Sequence, residues 1–267
     1  MGHPVSLEGS RDFVLAALCA IATAPALREL KESLVLKGGL ALLLAHDSPR
    51  ASRQDMDFGL THTNHRLTQD DSDNLLAELA AWRAEPVGDR EIKVKGEGID
   101  TPAIRFVHPV TLETGFLTLQ TSGIQVPPVL DAEIPLGPFH THDGREFTFR
   151  ILRIEEIAGE KMCRLWRPDK RPPRVVDLYD IGFCAEQGGF DLAKVVRVVR
   201  EHRKAGSEGH LIKIDETHPE VRLAARQPAI DVARRQAFYG PRATDQEIRR
   251  LVAAGWDCME QVKARLK

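Results

Sequence analysis

Two aspartates one residue apart, closing a run that reads strand, turn, helix, strand, constrain this chain more than any other feature in it. From Leu34 to Leu60 the sequence is LVLKGGLALLLAHDSPRASRQDMDFGL. Leu34, Val35 and Leu36 form a short apolar run that stops at Lys37, Gly38 and Gly39, as a buried strand stops at a turn. Leu40 to His46, rich in leucine and alanine, favours helix. A polar loop from Asp47 to Gln54 leads into Asp55-Met56-Asp57-Phe58-Gly59-Leu60. There, alternation sets the two aspartates on one face of a strand and Met56 and Phe58 on the other. Two carboxylates on one face repel each other unless a cation lies between them.

The rest of the chain supplies more sheet and then helices. Phe13 to Glu32 has apolar residues at helical spacing broken by Pro25, which predicts two short helices over the organising strand. Thr68 to Arg83 predicts an amphipathic helix with Thr68 or Ser72 as N-cap. Three alternating runs, Glu91 to Lys95, Ala103 to Val107 and Gly115 to Gln120, predict strands. Ser122 to Gly144, rich in proline, glycine and histidine, reads as a long connection. One more strand is expected over Glu146 to Leu152, and helices over Ile154–Trp166, Val176–Glu186, Leu192–Glu201 and Glu247–Leu266. The expected fold is α+β: a mixed sheet with flanking helices over residues 1–150, then a helical lobe over 151–267.

A chain of 267 residues is long enough for two such lobes. Its formal net charge of -2 gives no global attraction to polyanions, so a nucleic-acid site would need local clustering. Arg164, Arg167, Lys170, Arg171 and Arg174 crowd one segment, and Lys194, Arg197, Arg200, Arg203 and Lys204 another. Each group by itself reads as a solvated helix face. Cys19, Cys163, Cys184 and Cys258 form no C-x-x-C pair, which argues against a zinc knuckle or a disulfide framework and fits a reducing cytoplasm. No apolar run is long enough to span a bilayer and the N-terminus lacks a signal-peptide pattern, so the expectation is a cytoplasmic protein with no membrane partner. The ten histidines show no zinc-ligand spacing and read as surface residues. A nucleophile elbow of the G-x-S-x-G kind is missing.

Asp55 and Asp57 form a minimal platform for magnesium, which takes carboxylate oxygens together with substrate phosphates. In isolation D-x-D reads as a solvated strand end. The preceding Lys37-Gly38-Gly39 shifts the reading, because glycines at a strand-to-helix turn let backbone amides approach phosphate at the helix N-terminus. Lys37 adds a point charge there, or is simply solvated. Ser52 and Arg53 could contact phosphate, though loop polarity explains them as well. A second constellation is IEEIAGEK, residues 154–161, followed by RVVDLYD, residues 174–180. Lys161 lies in a helical stripe with Ile157 and Arg164, and Asp177 and Asp180 are a turn apart on the next helix. Lysine and aspartate on adjacent helices either face a cleft, toward triphosphate and metal, or form an interhelical salt bridge.

The three blocks LVLKGGLALLL, DMDF with the basic and hydroxyl residues before it, and IEEIAGEKM followed by RVVDLYDI together resemble the nucleotidyltransferase-fold toxins of the AbiEii/AbiGii type, which include the mycobacterial MenT toxins. The resemblance covers roughly Leu34 to Phe58 and Ile154 to Ile181. It implies a bilobed nucleotidyltransferase fold in which Asp55 and Asp57 bind Mg2+ and the Lys-Gly-Gly turn lies by the phosphates of an NTP. It implies further that Lys161 and Asp177 complete the site from the helical lobe, together with Asp180. The implied activity is transfer of a nucleoside monophosphate to RNA, in several cases the 3′ end of a tRNA, by a toxin with a cognate antitoxin. The other readings are a catalytically silent nucleotide- or RNA-binding module, and a transferase acting on a protein or small-molecule hydroxyl. The chain departs from the pattern at Arg53, where such sites often carry Ser or Thr two residues before the first aspartate. It departs again at Gly115 to Gln120, which offers Thr118 and Gln120 where many nucleotidyltransferases carry a third carboxylate.

Overall fold

The computed structural model describes residues 7–51, 55–60, 68–87, 93–95, 98–100, 104–121, 129–130, 134–166, 175–205, 214, 221–222, 238–239 and 243–267. Its strands in chain order are β1 (Leu34–Lys37), β2 (Arg50–Ala51), β3 (Asp55–Leu60), β4 (Glu85–Pro86), β5 (Lys93–Lys95) and β6 (Gly98–Asp100). Then come β7 (Ile104–Val107), β8 (Thr114–Thr121), β9 (Ile134–His140), β10 (Glu146–Ile151) and β11 (Phe238–Tyr239). The helices are α1 (Leu7–Thr23), α2 (Arg28–Ser33), α3 (Gly38–His46), α4 (Gln69–Glu78), α5 (Ile154–Leu165), α6 (Val175–Ala185), α7 (Leu192–Ala205) and α8 (Asp245–Leu266). The fold is α+β, and its described residues fall into two compact units. The first takes those of 1–41, 52–127 and 133–151, the second those of 42–51, 128–132 and 152–267.

The first unit is built on a mixed sheet with strand order β4-β7-β8-β3-β1-β10-β9, to which β6 adds on β8 and β5 on β6. The organising stretch lies at its middle: β1 runs antiparallel to β3, and β3 parallel to β8. The helix α1 packs across β10 and β8. Its Phe13 stacks on Phe106 of β7, ring centroids 3.9 Å apart, and meets Trp82 edge-on. Pro25 ends this helix as expected, and a turn at Pro25–Leu27 leads into α2. Thr68 is the N-cap of α4, in a capping box in which its hydroxyl accepts from Asp71 N–H while the Asp71 carboxylate accepts from Thr68 N–H.

Two expectations are corrected here. The stretch 122–144 is not connection throughout, because β9 passes through it. Its Pro135 and Pro138 are tolerated because β9 ends the sheet order, and an edge strand leaves one side of its backbone unpaired. Nor are all histidines on the surface: His108 is buried. Its Nδ1 accepts from the N–H groups of Val110 and Thr111, which leaves Nε2–H to donate to Asp12, 3.2 Å away. His140 and His142 are exposed, while His62 and His65 lie outside the described residues.

The second unit is helical, with a small β2–β11 ladder. In it α5 packs on α6 and α7, and α8 packs on α6 and α7. The α6–α8 contact is backbone to backbone. A Cβ on Gly182 would stand 1.9 Å from the carbonyl oxygen of Leu251, and one on Gly255 would stand 1.9 Å from that of Leu178. Among the described residues no single helix is long and apolar enough to cross a membrane.

Candidate active site

In the first unit the sheet register gathers the residues of the organising stretch. Lys37 pairs with Asp57 across β1 and β3, Asp57 with Gln120 across β3 and β8, and Gln120 with Asp100 across β8 and β6. Lys93 of β5 then pairs with Asp100. One continuous row of positions across five strands therefore holds Lys37, Asp57, Gln120, Asp100 and Lys93. The next row, offset by one residue, holds Leu36, Phe58, Thr121, Ile99 and Val94 and is nearly all apolar. Because successive residues of a strand take opposite faces, the polar row defines one face of the sheet and the apolar row the other. Asp55 falls on the polar set, paired with Thr118.

The strand positions beside the aspartate pair thus carry Thr118 and Gln120, and an acid returns one strand further out, at Asp100. Sequence reading missed it, because Gly98–Asp100 is too short to show a period.

Immediately after Lys37 the chain turns into α3 through Gly38, whose φ of 71° lies in the left-handed region that a side chain would strain. Lys37, Gly38 and Gly39 are half-buried. The first turn of α3 therefore begins at the strand end that pairs with Asp57, and its N–H groups and positive dipole end suit an anion. Ser52 and Arg53 lie outside the described residues. Among the described residues, no group of three or more His, Cys, Asp or Glu is placed to hold a metal ion.

In the second unit Lys161 of α5 meets both aspartates of α6. Its Nζ donates to Asp177 Oδ1 at 3.0 Å and lies 2.7 Å from Asp180 Oδ2. Arg164, one turn further along α5, reaches within 3.8 Å of Asp177 Oδ1 and is half exposed. The side chains of Lys161, Asp177 and Asp180 are 7%, 1% and 0% exposed, so the interhelical ion cluster foreseen as one alternative is formed and desolvated. Burial is tolerable for these charges because the Lys161 ammonium pairs with both carboxylates and Arg164 adds a second positive charge beside Asp177. Cys184, one turn beyond Asp180, is fully buried; its thiol is pushed well above its ordinary range by burial first and by the Asp180 charge next.

The two glutamates that open α5 are also buried. The Glu156 carboxylate accepts from the N–H groups of Val129 and Leu130 at 3.0 and 3.1 Å, with His202 Nε2 3.9 Å away, while Glu155 lies 3.6 Å from Lys194 Nζ. The IEEIAGEK block is thus a set of anchors as well as the source of Lys161. The site residues expected from sequence fall into two sets, one in each unit.

No curated protein sequence shows significant similarity to the chain. Solved structures share its fold, two of them at more than 90% coverage of both chains. JHP933 from Helicobacter pylori superposes with a TM-score of 0.59 at 17% identity, over 98% of this chain and 94% of its own. MenT4, a nucleotidyltransferase toxin from Mycobacterium tuberculosis, superposes with a TM-score of 0.51 at 16% identity, over 97% of this chain and 94% of its own. The family of nucleotidyl transferase AbiEii toxins, of type IV toxin–antitoxin systems, matches residues 24–254, which takes in the polar row, the Lys-Gly-Gly turn and the α5–α6 cluster alike. The chain belongs to this AbiEii toxin family and is a nucleotidyltransferase.

Proposed function

We propose that the protein transfers a nucleoside monophosphate from an NTP to the 3′ hydroxyl of an RNA, a tRNA in the first instance, and releases pyrophosphate. The observation that carries this reading is the pairing of Lys37 with Asp57, which sets a glycine turn and a helix N-terminus beside a strand aspartate. The donor set suits Mg2+: Asp55 and Asp57 offer hard oxygens, and magnesium completes its shell with water and substrate phosphates rather than with a full protein cage. When bound, the ion would polarise the reacting phosphate and offset its charge.

The chain's own residues bind and orient. Backbone N–H groups at the start of α3 hold phosphate oxygens, and Lys37 adds a point charge. On the family resemblance Lys161 and Asp177 are assigned to the same reaction, with Asp180 holding the Lys161 ammonium in place. The RNA hydroxyl oxygen bonds to the α-phosphorus as the bond to the β-phosphate breaks, and the hydroxyl proton passes to solvent. A cognate antitoxin and a cytoplasmic location complete the proposal.

Incubation with labelled NTPs, Mg2+ and total tRNA tests it. The wild type should label tRNA, and Asp57→Ala should label it at no more than about a hundredth of that rate. Equal labelling by the variant would refute the assignment. Label recovered on protein or on a small molecule, read by mass spectrometry, would move the acceptor away from RNA while leaving the Asp57 prediction in force.

A further inference from the structure

We propose that the outer face of α7, together with the last turns of α8, is the surface on which the RNA sugar-phosphate backbone docks. The proposal rests on RNA as the acceptor, as argued above; what it adds is the surface. Helix α7 cannot rotate freely. Val195, Val198 and Val199 are fully buried, and Val198 packs so closely on α5 that a Cβ at Gly159 would stand 2.5 Å from its Cγ1. This fixed rotation leaves Arg197, Arg200, Arg203 and Lys204 exposed.

Arg197, Arg200 and Lys204 follow one line along the helix, with Arg203 beside it. The C-terminal turns of α8 join them, because an Arg200 guanidinium N–H donates to the carbonyl oxygen of Arg265 at 3.0 Å, which brings in Lys263 and Arg265. Glu201 is the one acid on α7, and it is taken up by Lys204 at 2.7 Å. Arg197 and Arg203 have no carboxylate partner among the described residues.

General basicity does not explain this face, since the whole chain carries a formal charge of -2. Complementing the helix dipole does not explain it either. That effect fades within the last turn, and Arg197 and Arg200 lie before it. Like charges at these spacings oppose helix formation, so the face is maintained against local preference. A row of unneutralised guanidinium groups on a rigid helix matches the spaced phosphates of a nucleic acid, to which arginine binds in bidentate fashion.

The test is fluorescence anisotropy with 5′-labelled tRNA and no nucleotide, between 50 and 200 mM salt (about the range over which counterion release is read). The wild type should bind with a steep salt dependence. Arg197→Gln/Arg203→Gln should bind roughly tenfold more weakly at the middle of that range, with a log–log slope shallower by about 1.4 to 1.8. Arg28→Gln, an exposed arginine of the first unit, should match the wild type. The double variant should melt at the wild-type temperature, so a binding loss would not reflect unfolding.

Unchanged affinity and slope in the double variant would overturn the proposal. So would loss of binding to an acidic protein partner with tRNA affinity intact, which would reassign the face to that protein. A wild type that binds tRNA through this face but transfers nothing would leave the surface standing and refute the transfer reading instead.

Discussion

Replacing Lys161 with methionine will cost the second unit about 3–5 kcal/mol, because it removes the ammonium group that is paired with two buried carboxylates, Asp177 and Asp180. Methionine keeps most of the volume, so the loss reports charge rather than a cavity. The triple variant Lys161→Met/Asp177→Asn/Asp180→Asn removes the charges together and should recover most of the stability, as replacement of a whole buried ionic group often does. Urea denaturation of the single and triple variants measures both outcomes. A triple variant as unstable as the single one would show that the cluster is not held by charge. The same triple variant separates architecture from chemistry: folded yet unable to label tRNA, it would place Lys161 and Asp177 in the reaction. Folded and fully active, it would reduce the cluster to a fastening between α5 and α6.

Gly255→Ala will destabilise the protein by at least about 2 kcal/mol, although alanine is the better helix former. The gain in helix propensity is about 1 kcal/mol. Against it stands a methyl carbon 1.9 Å from a backbone oxygen of the facing helix, where no rotamer change can make room. Helices α6 and α8 must move apart, and overpacking of this kind costs about 3 kcal/mol or more. The melting midpoint should fall by roughly 4–8 °C. Gly182→Ala should behave alike, since the contact is reciprocal. Gly159→Ala makes an instructive contrast: its obstacle is the Val198 side chain, so a second change, Val198→Ala, should relieve it in part by removing the Cγ1 at 2.5 Å, while the Cβ at 2.9 Å remains. Gly188→Ala meets nothing within 4 Å and should leave the midpoint unchanged. A Gly255→Ala protein with wild-type stability would contradict the packing described for α6 and α8.

The parts of this fold that were legible in the sequence are those whose local signal and tertiary role agree. Leu34 to Leu36 end at glycines and are a strand ending at a helix; Ile154 to Leu165 has helical period and is a helix. Thr68 was readable as a cap because its partner Asp71 is three residues away. What escaped is non-local. Pro135 and Pro138 argue against a strand until β9 is known to lie at the sheet edge. Asp100 is an unremarkable acid until register sets it two strands from Asp57. His108 looks like a surface residue until Val110 N–H, Thr111 N–H and Asp12 are seen to use both ring nitrogens. For the candidate site, residue types and spacing named Lys161 and Asp177, but their mutual neutralisation follows only from the packing of α5 on α6.

Glu156 bears on how the protein can be cut. Its buried carboxylate is satisfied by Val129 and Leu130, residues that precede most of the second unit by more than twenty positions but belong to it. Residues 42–51 belong to it as well. The helical half is therefore not a tail that a single cleavage can release whole. A fragment starting at residue 152 would carry a desolvated glutamate stripped of both its amide donors, and a fragment ending at 151 would carry two segments whose packing partners are gone. Any exchange of this half between related toxins has to move three pieces of chain at once.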